Sequence, residues 1–263
     1  MDLEKIAKEL RRDIIDMLYE ARSGHPGGSL SCIDILTVLY FEIMDLKFDE
    51  NGARVDKFIL SKGHAAPALY SVLAKKGIIP KEDLKYLRKI NGSLEGHPSI
   101  KTPGIDVGTG SLGQGLSIAN GMALAKKIDK KKGYVYVLMG DGELEEGQIW
   151  EAMMTANKYK LGNLVMIIDY NGLQIDGSIE NVKKLNNLSE KISSFGIEVI
   201  ECDGHDYMQL KLALSQAKEN SKATCIIAKT VKGKGITFME NSISWHGKSL
   251  TEEDYIRASE ELS

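Results

Sequence analysis

Two short segments carry the groups best suited to holding a hard cation. The apolar run Tyr134-Val-Tyr-Val-Leu-Met139 passes directly into Gly140-Asp141-Gly142-Glu143. Glycines on both sides of a carboxylate let the backbone approach a ligand closely. The carboxylate itself stands where strand-end loops of doubly wound sheets bind ligands. Thirty positions beyond Asp141, the next apolar run ends in Asp169-Tyr170-Asn171-Gly172-Leu173. On neighbouring parallel strands, the Asp141 carboxylate, the Asn171 amide oxygen and the Leu173 carbonyl can converge on one cation. Three protein oxygens leave places in an octahedral shell for phosphate oxygens and a water, which suits Mg²⁺, with Ca²⁺ as a substitute.

The histidines form a second pattern. There are five, and each adjoins a glycine: His25, His64, His97, His205 and His246. Loop histidines beside permissive backbone suit a polar pocket, as hydrogen-bond donors or proton carriers. His205 is the weakest of them, because Asp203-Gly-His-Asp206 looks like a strand exit followed by a helix cap. No spacing suggests zinc. Gly108-Thr-Gly110-Ser-Leu-Gly113 matches GxGxxG but lacks the preceding strand of a dinucleotide fold, so it reads as backbone close to a flat ligand. Lys232-Gly-Lys-Gly-Ile-Thr237 lacks the P-loop spacing. Glu143 and Glu145 read as complements to a helix dipole, whereas Glu146 and Glu151, five apart, fall on different helix faces.

The elements that must position these groups follow from periodicity. Leu3, Ile6, Leu10, Ile14, Met17 and Leu18 mark a helix that stops at Ser23-Gly-His-Pro-Gly-Gly28. Ser31 and Asp34 form a capping-box pattern for a second helix to about Met44. Phe58-Ile-Leu60 is a short strand candidate, with helices following to about Lys76 and from Gly113 to Lys127. Apolar runs at 134–139, 164–168, 197–200 and 225–228 then alternate with helical stretches near 145–160, 188–195 and 206–219. Such short, unalternated strands predict a doubly wound, mostly parallel α/β sheet with helices on both faces, as one domain over residues 1–263 with a helical N-terminal lead-in. The irregular segment 230–250 is long enough to be functional.

Composition narrows the partners. Of 263 residues, 34 are basic and 37 acidic, giving a net charge of -3 without basic blocks, which argues against nucleic acid. The basic stretch 126–132 reads as a solvated helix end. No apolar run suggests a membrane span, and the charged N-terminus has no signal-peptide core. Three scattered cysteines fit a reducing compartment, so a cytoplasmic location is expected.

Taken together, the motifs resemble the N-terminal, diphosphate-binding domain of transketolase. The resemblance spans nearly the whole chain and rests on Ser23-Gly-His-Pro-Gly27, Lys62-Gly-His64, Gly96-His-Pro98, Gly110-Ser-Leu-Gly-Gln-Gly115, Gly140-Asp-Gly142, Asn171-Gly-Leu-Gln-Ile-Asp-Gly177 and Trp245-His-Gly247, in order. It implies a thiamine diphosphate fold in which Asp141, Asn171 and the Leu173 carbonyl hold Mg²⁺. Gly142 would donate its N–H to the diphosphate, which His64 and His246 also contact, while Gly110, Ser111 and Leu112 border the cofactor. His25, His97 and His246 would face the sugars, and Glu146 and Glu151 would link paired sites across a dimer interface. Ser99 departs from the family, which carries an acidic residue after Gly-His-Pro.

The same resemblance implies transfer of a two-carbon ketol unit between sugar phosphates. It also implies a separate C-terminal subunit carrying the pyrimidine-binding domain, in an α2β2 assembly. The alternatives are a subunit of another thiamine diphosphate enzyme, either deoxyxylulose-phosphate synthase-like or 2-oxo acid decarboxylating, a non-catalytic scaffolding paralogue, and a fragment of a longer gene product.

Overall fold

The apolar runs become one five-stranded parallel sheet in the computed structural model, which describes residues 1–50 and 52–263. Its strands are β1 (Lys57–Leu60), β2 (Val135–Gly140), β3 (Leu164–Tyr170), β4 (Glu198–Asp203) and β5 (Thr224–Lys229), ordered β1-β2-β3-β5-β4. Every neighbouring pair is parallel. Burial on both faces explains why β2 and β3 show no polar alternation.

Each face has its own core and its own helices. Phe58, Leu60, Tyr136, Leu138, Val165 and Ile167 point to one side. There they pack under α1 (Leu3–Ala21), α2 (Pro26–Ser31), α3 (Ile33–Val38) and α4 (Ala66–Lys75). Ile59, Val135, Val137, Met139, Met166 and Ile168 point to the other. That side is covered by α5 (Gln114–Ile128), α6 (Gly147–Lys158), α7 (Ile179–Val182) and α8 (Leu188–Ser194). The chain then returns to the first face with α9 (Tyr207–Glu219) and α10 (Glu252–Glu261). Among the described residues, no helix is long and apolar enough to cross a membrane.

Three local expectations are corrected. The chain resumes helix at Pro26, because proline at the first helical position lacks only an N–H that has no partner there. The Ser31–Asp34 capping box does not form: α2 ends at Ser31, α3 starts after a break at Cys32, and a π-helical turn, Leu39–Ile43, completes the segment. Ser31 Oγ instead donates to Asp169 Oδ2 at 2.6 Å, and Asp34 pairs with Arg11. Lys126 is buried rather than solvated, with Nζ donating to the carbonyls of Val55 and Lys132.

Register decides what meets at the sheet's C-terminal edge. Gly140 pairs with Asp169, so Asp141 and Asn171 emerge side by side, as the strand ends predicted. Ser61 N–H still donates to Leu138 O at 2.8 Å, which sends Lys62-Gly63-His64 out on the same edge. Behind it, α5 approaches so closely that a Cβ on Gly115 would overlap Ser61 Oγ and stand 3.0 Å from Ser61 Cα. Gly115→Ala is therefore expected to lower stability by about 1–3 kcal/mol through overpacking. Urea unfolding checks this; an unchanged midpoint would mean that α5 can slide outward without loss.

Candidate active site

A cavity of about 300 Å³ opens at that edge, above the ends of β1, β2 and β3. His25, His64, Gly110, Leu112, Asp141, Gly142, Asn171, Leu173 and His246 all line it, so most of the residues singled out in the sequence converge. Ser111 is exposed on the neighbouring loop and His97 is exposed behind Gly110, 3.8 Å from where a Gly110 Cβ would stand. Neither forms the cavity wall described here. Glu146 and Glu151 are exposed on a different surface: Glu146 packs on Gly113, and Glu151 borders a groove between α5 and α6.

The acidic corner is tightly organised. Asp141 is buried and accepts N–H bonds from Gly142 (2.8 Å) and Gly172. Desolvation, then the charge of Asp169, pushes its carboxyl up to about 6, although the two N–H donors and Lys62 pull the other way. In this arrangement the Gly142 N–H is turned to Asp141 rather than toward the cavity. Asn171 Oδ1 accepts from Leu173 N–H at 3.1 Å, and Leu173 O accepts from Lys232 Nζ at 3.0 Å. The Leu173 carbonyl is thus already aimed at positive charge.

Four charged residues of the site were not recognised in the sequence. Lys62 and Asp169 form an ion pair wholly out of solvent, with Lys62 Nζ also on Gly28 O at 2.8 Å. Desolvation opposes charge on both, but their mutual attraction dominates: Lys62 is held above and Asp169 below its ordinary range. Lys232 is buried and bonds His246 Nδ1 at 2.8 Å; desolvation and repulsion from Lys62 bring it down to about 8. Glu143 is no dipole complement. Its carboxylate accepts from Ser61 Oγ, Gly113 N–H (2.8 Å) and Gly140 N–H (3.1 Å), which joins the GxGxxG loop to the end of β2. One signal was available for all four: an ionisable residue inside or beside an apolar strand must find a partner.

Three imidazoles face one another across the cavity. His25, His64 and His246 have ring centroids 5.2, 5.7 and 5.3 Å apart pairwise. Desolvation first, then nearby cations, holds His25 and His246 down at about 4 and His64 well below its ordinary value. The cluster is neutral at pH 7. Because Lys232 donates to His246 Nδ1, the ring proton of His246 sits on Nε2. His25 Nδ1 is buried with no hydrogen-bond partner among the described residues. His205 lies outside the cavity, with Nδ1 on Asp34 and Nε2 accepting from Val231 N–H.

A parallel doubly wound sheet whose C-terminal edge gathers an oxygen-donor set, two buried lysines and neutral histidines has the strand-end pocket in which α/β proteins of the cofactor-binding class hold their ligands. Comparison with known proteins gives the family. The family described as transketolase, thiamine diphosphate binding domain, matches residues 3–262. The chain belongs to that transketolase family. Over 263 residues it is 43% identical to one of the subunits of apulose-4-phosphate transketolase from Phocaeicola vulgatus, covering 99% of this chain and 94% of that one. It is 46% identical to human transketolase over 94% of its own length but only 40% of the human protein. The transketolase structure from Campylobacter jejuni superimposes with a TM-score of 0.92 at 37% identity, covering 99% of this chain and 42% of that one. The chain therefore spans about two fifths of these one-chain relatives and nearly all of the subunit-sized one.

The neutral imidazoles carry a pH signature. Unfolded histidines titrate near 6.5, whereas His25 and His246 in the fold titrate near 4. Between these values the unfolded chain binds more protons, so stability rises with pH through that window and is lost as pH falls toward 4. Urea midpoints should climb from pH 4.5 to 6.5. Replacing His25 and His246 by glutamine should make the climb shallower, leaving the share due to His64, and an equally steep one would show that other groups set it.

Proposed function

We propose that this chain is the diphosphate-binding half of a two-chain transketolase, forming one domain over residues 1–263. The reaction would move a two-carbon ketol unit from a ketose phosphate to an aldose phosphate with thiamine diphosphate and Mg²⁺. A separate C-terminal subunit carrying the pyrimidine-binding domain would complete each site, in an α2β2 assembly, within the pentose phosphate pathway of the cytoplasm. Support for two chains comes from the match over 94% of a relative that is itself named as one subunit of a transketolase.

The observation that carries the reading is the charge and oxygen pattern of the cavity. Three buried carboxylates, Asp141, Asp169 and Glu143, face two buried ammonium groups, Lys62 and Lys232. One acid is in excess, and a dication would reverse the sign and suit a diphosphate. Asp141, Asn171 and the Leu173 carbonyl offer oxygens for Mg²⁺. The Lys232 ammonium already seated on Leu173 O supports that corner as a cation site. Gly28 and Gly140 leave room for bound phosphates, since a Cβ on Gly28 would stand 3.4 Å from His64 Nε2. Gly110 and Leu112 supply a wall for a flat ring.

Bound thiamine diphosphate supplies the nucleophilic carbon and electron sink needed to break a bond beside a carbonyl. The protein's own groups do the rest. His64 and His246 hold the diphosphate end through neutral ring nitrogens. His25, whose neutral ring lines the cavity, would exchange a proton with a sugar hydroxyl, with His246 Nε2 and His97 at the outer rim. Glu146 and Glu151 stand ready on the outer surface to reach the second site of the assembly.

The test is ketol transfer from xylulose phosphate to ribose phosphate, assayed with the chain alone and with the complex it captures from its native cells. Activity in the complex only is expected. A defined complex without transfer would redirect the assignment to pyruvate-dependent chemistry on the same cofactor. Asp141→Ala is expected to abolish Mg²⁺-dependent cofactor binding in calorimetry, because it removes the one charged oxygen donor of the set. Equal affinity with and without Mg²⁺ in both proteins would remove Asp141 from the metal site.

A further inference from the structure

The stretch after β5 places two groups in the cavity region within three residues. Thr230 Oγ1 donates to Asp169 Oδ1, and Lys232 Nζ bonds both Leu173 O and His246 Nδ1. Yet the β3–β5 ladder ends just before it: Thr230 N–H still finds Tyr170 O at 3.0 Å, and the next amide has no strand partner. That amide, Val231 N–H, is caught at 2.8 Å by the Nε2 of His205, from the loop leaving β4.

His205 is in turn held by a buried carboxylate. Asp34 Oδ2 accepts from its Nδ1 at 2.7 Å. The same carboxylate takes both terminal nitrogens of Arg11 (3.0 and 2.6 Å) and the Tyr207 hydroxyl (2.8 Å). Arg11 completes the circuit: its Nε donates to Lys234 O at 3.0 Å. The segment is therefore gripped on both sides of Lys232, at Val231 by His205 and at Lys234 by Arg11. Gly235 (φ +93°) lets the backbone pass, since a Cβ there would come 2.7 Å from Arg11 Nε.

We infer that Asp34, Arg11 and His205 form a clamp whose task is to position Lys232, and through it the His246 ring, at the active-site edge. The chemistry of the clamp is specific. An amide N–H can only donate and a carboxylate here can only accept, so His205 must be the neutral Nδ1–H tautomer. A carboxylate that fixes an imidazole so that its other nitrogen can hold a functional group follows the logic by which carboxylates orient metal-binding histidines. His205 does not line the active-site cavity and acts through Val231, which makes it a positioning residue. The inference rests on the proposed diphosphate site for its meaning, because Lys232 and His246 belong to that site.

Long-range proton–nitrogen spectra of the full chain without cofactor test the clamp separately from ketol transfer. In the wild type, His205 should show only the Nδ1–H tautomer and His246 only the Nε2–H tautomer. In His205→Ala, His246 should become a mixture of tautomers. The Val231 amide should exchange about tenfold faster, as expected for loss of one buried hydrogen bond. His205→Gln, which keeps a donor and an acceptor side by side, should restore both signals. A folded His205→Ala chain with lower Tm but an unchanged His246 spectrum would reduce His205 to a structural role and overturn the inference. If the alanine variant does not fold, the glutamine variant and the wild-type tautomer decide. An Nε2–H signal from wild-type His205 would overturn the clamp outright. Failure of ketol transfer with these spectra intact would reject the reaction and leave the clamp standing.

Discussion

Asp169 lies in the fold with no access to water, at the end of a central strand of the sheet, and its charge has to be met by atoms of the protein. Lys62 meets it, arriving from the end of β1, and Ser31, Thr230 and Asn171 supply further donors. Breaking such a pair by deleting one partner typically costs about 3–5 kcal/mol, because the other charge is left buried. Four segments are joined through one carboxylate: the end of α2, the exit of β1, the exit of β3 and the exit of β5. Those are the segments that carry Gly28, His64, Asn171 and Lys232 into the cavity. The ion pair thus serves less as a source of net stability than as the point that ties the loops of the edge into one arrangement.

The histidines depend on that arrangement. Burial is the first opponent of protonation at His64 and His246, and Lys62 and Lys232 work in the same direction. Three imidazoles within 6 Å of one another are compatible only while uncharged. Neutrality gives each ring one donor and one acceptor nitrogen.

What was legible in the sequence follows a physical division. Parallel strands buried on both faces are continuous apolar runs, so β2, β3 and β5 stood out within a residue or two of their ends. Strand pairing then carried Asp141 and Asn171 together, since only one register sets Gly140 beside Asp169. Local signals misled wherever a distant partner outcompeted them. Asp34 matches a capping box with Ser31, yet a guanidinium from α1 and a histidine from beyond β4 claim its oxygens. Glu143 sits where a helix-dipole acid belongs, but three donors hold it, two of them from other loops and one from the end of β2. Lys62, Lys232 and Asp169 were given no role because their partners lie far along the chain, Lys62 and Asp169 pairing across 107 positions and Lys232 reaching Leu173 O across 59, which spacing along the sequence does not encode.

On the transketolase reading, the edge divides its work by charge. Phosphate is the strongly charged part of the ligands, and Lys62, Lys232 and a cation at Asp141 are the positive groups placed to meet it. Sugar hydroxyls are uncharged and need a partner that both gives and takes a proton, which a neutral imidazole does and an ammonium does not. His25 lines the cavity with its ring close to both other imidazoles, while its Nδ1 is buried and unpartnered among the described residues. Leaving a buried ring nitrogen without a hydrogen bond costs about 1–3 kcal/mol. Nδ1 has no surface open to a ligand, so the fold carries that cost, as it does at the Tyr40 and Tyr136 hydroxyls. On that reading it is the part of the ring that lines the cavity, and not Nδ1, that a sugar hydroxyl would meet.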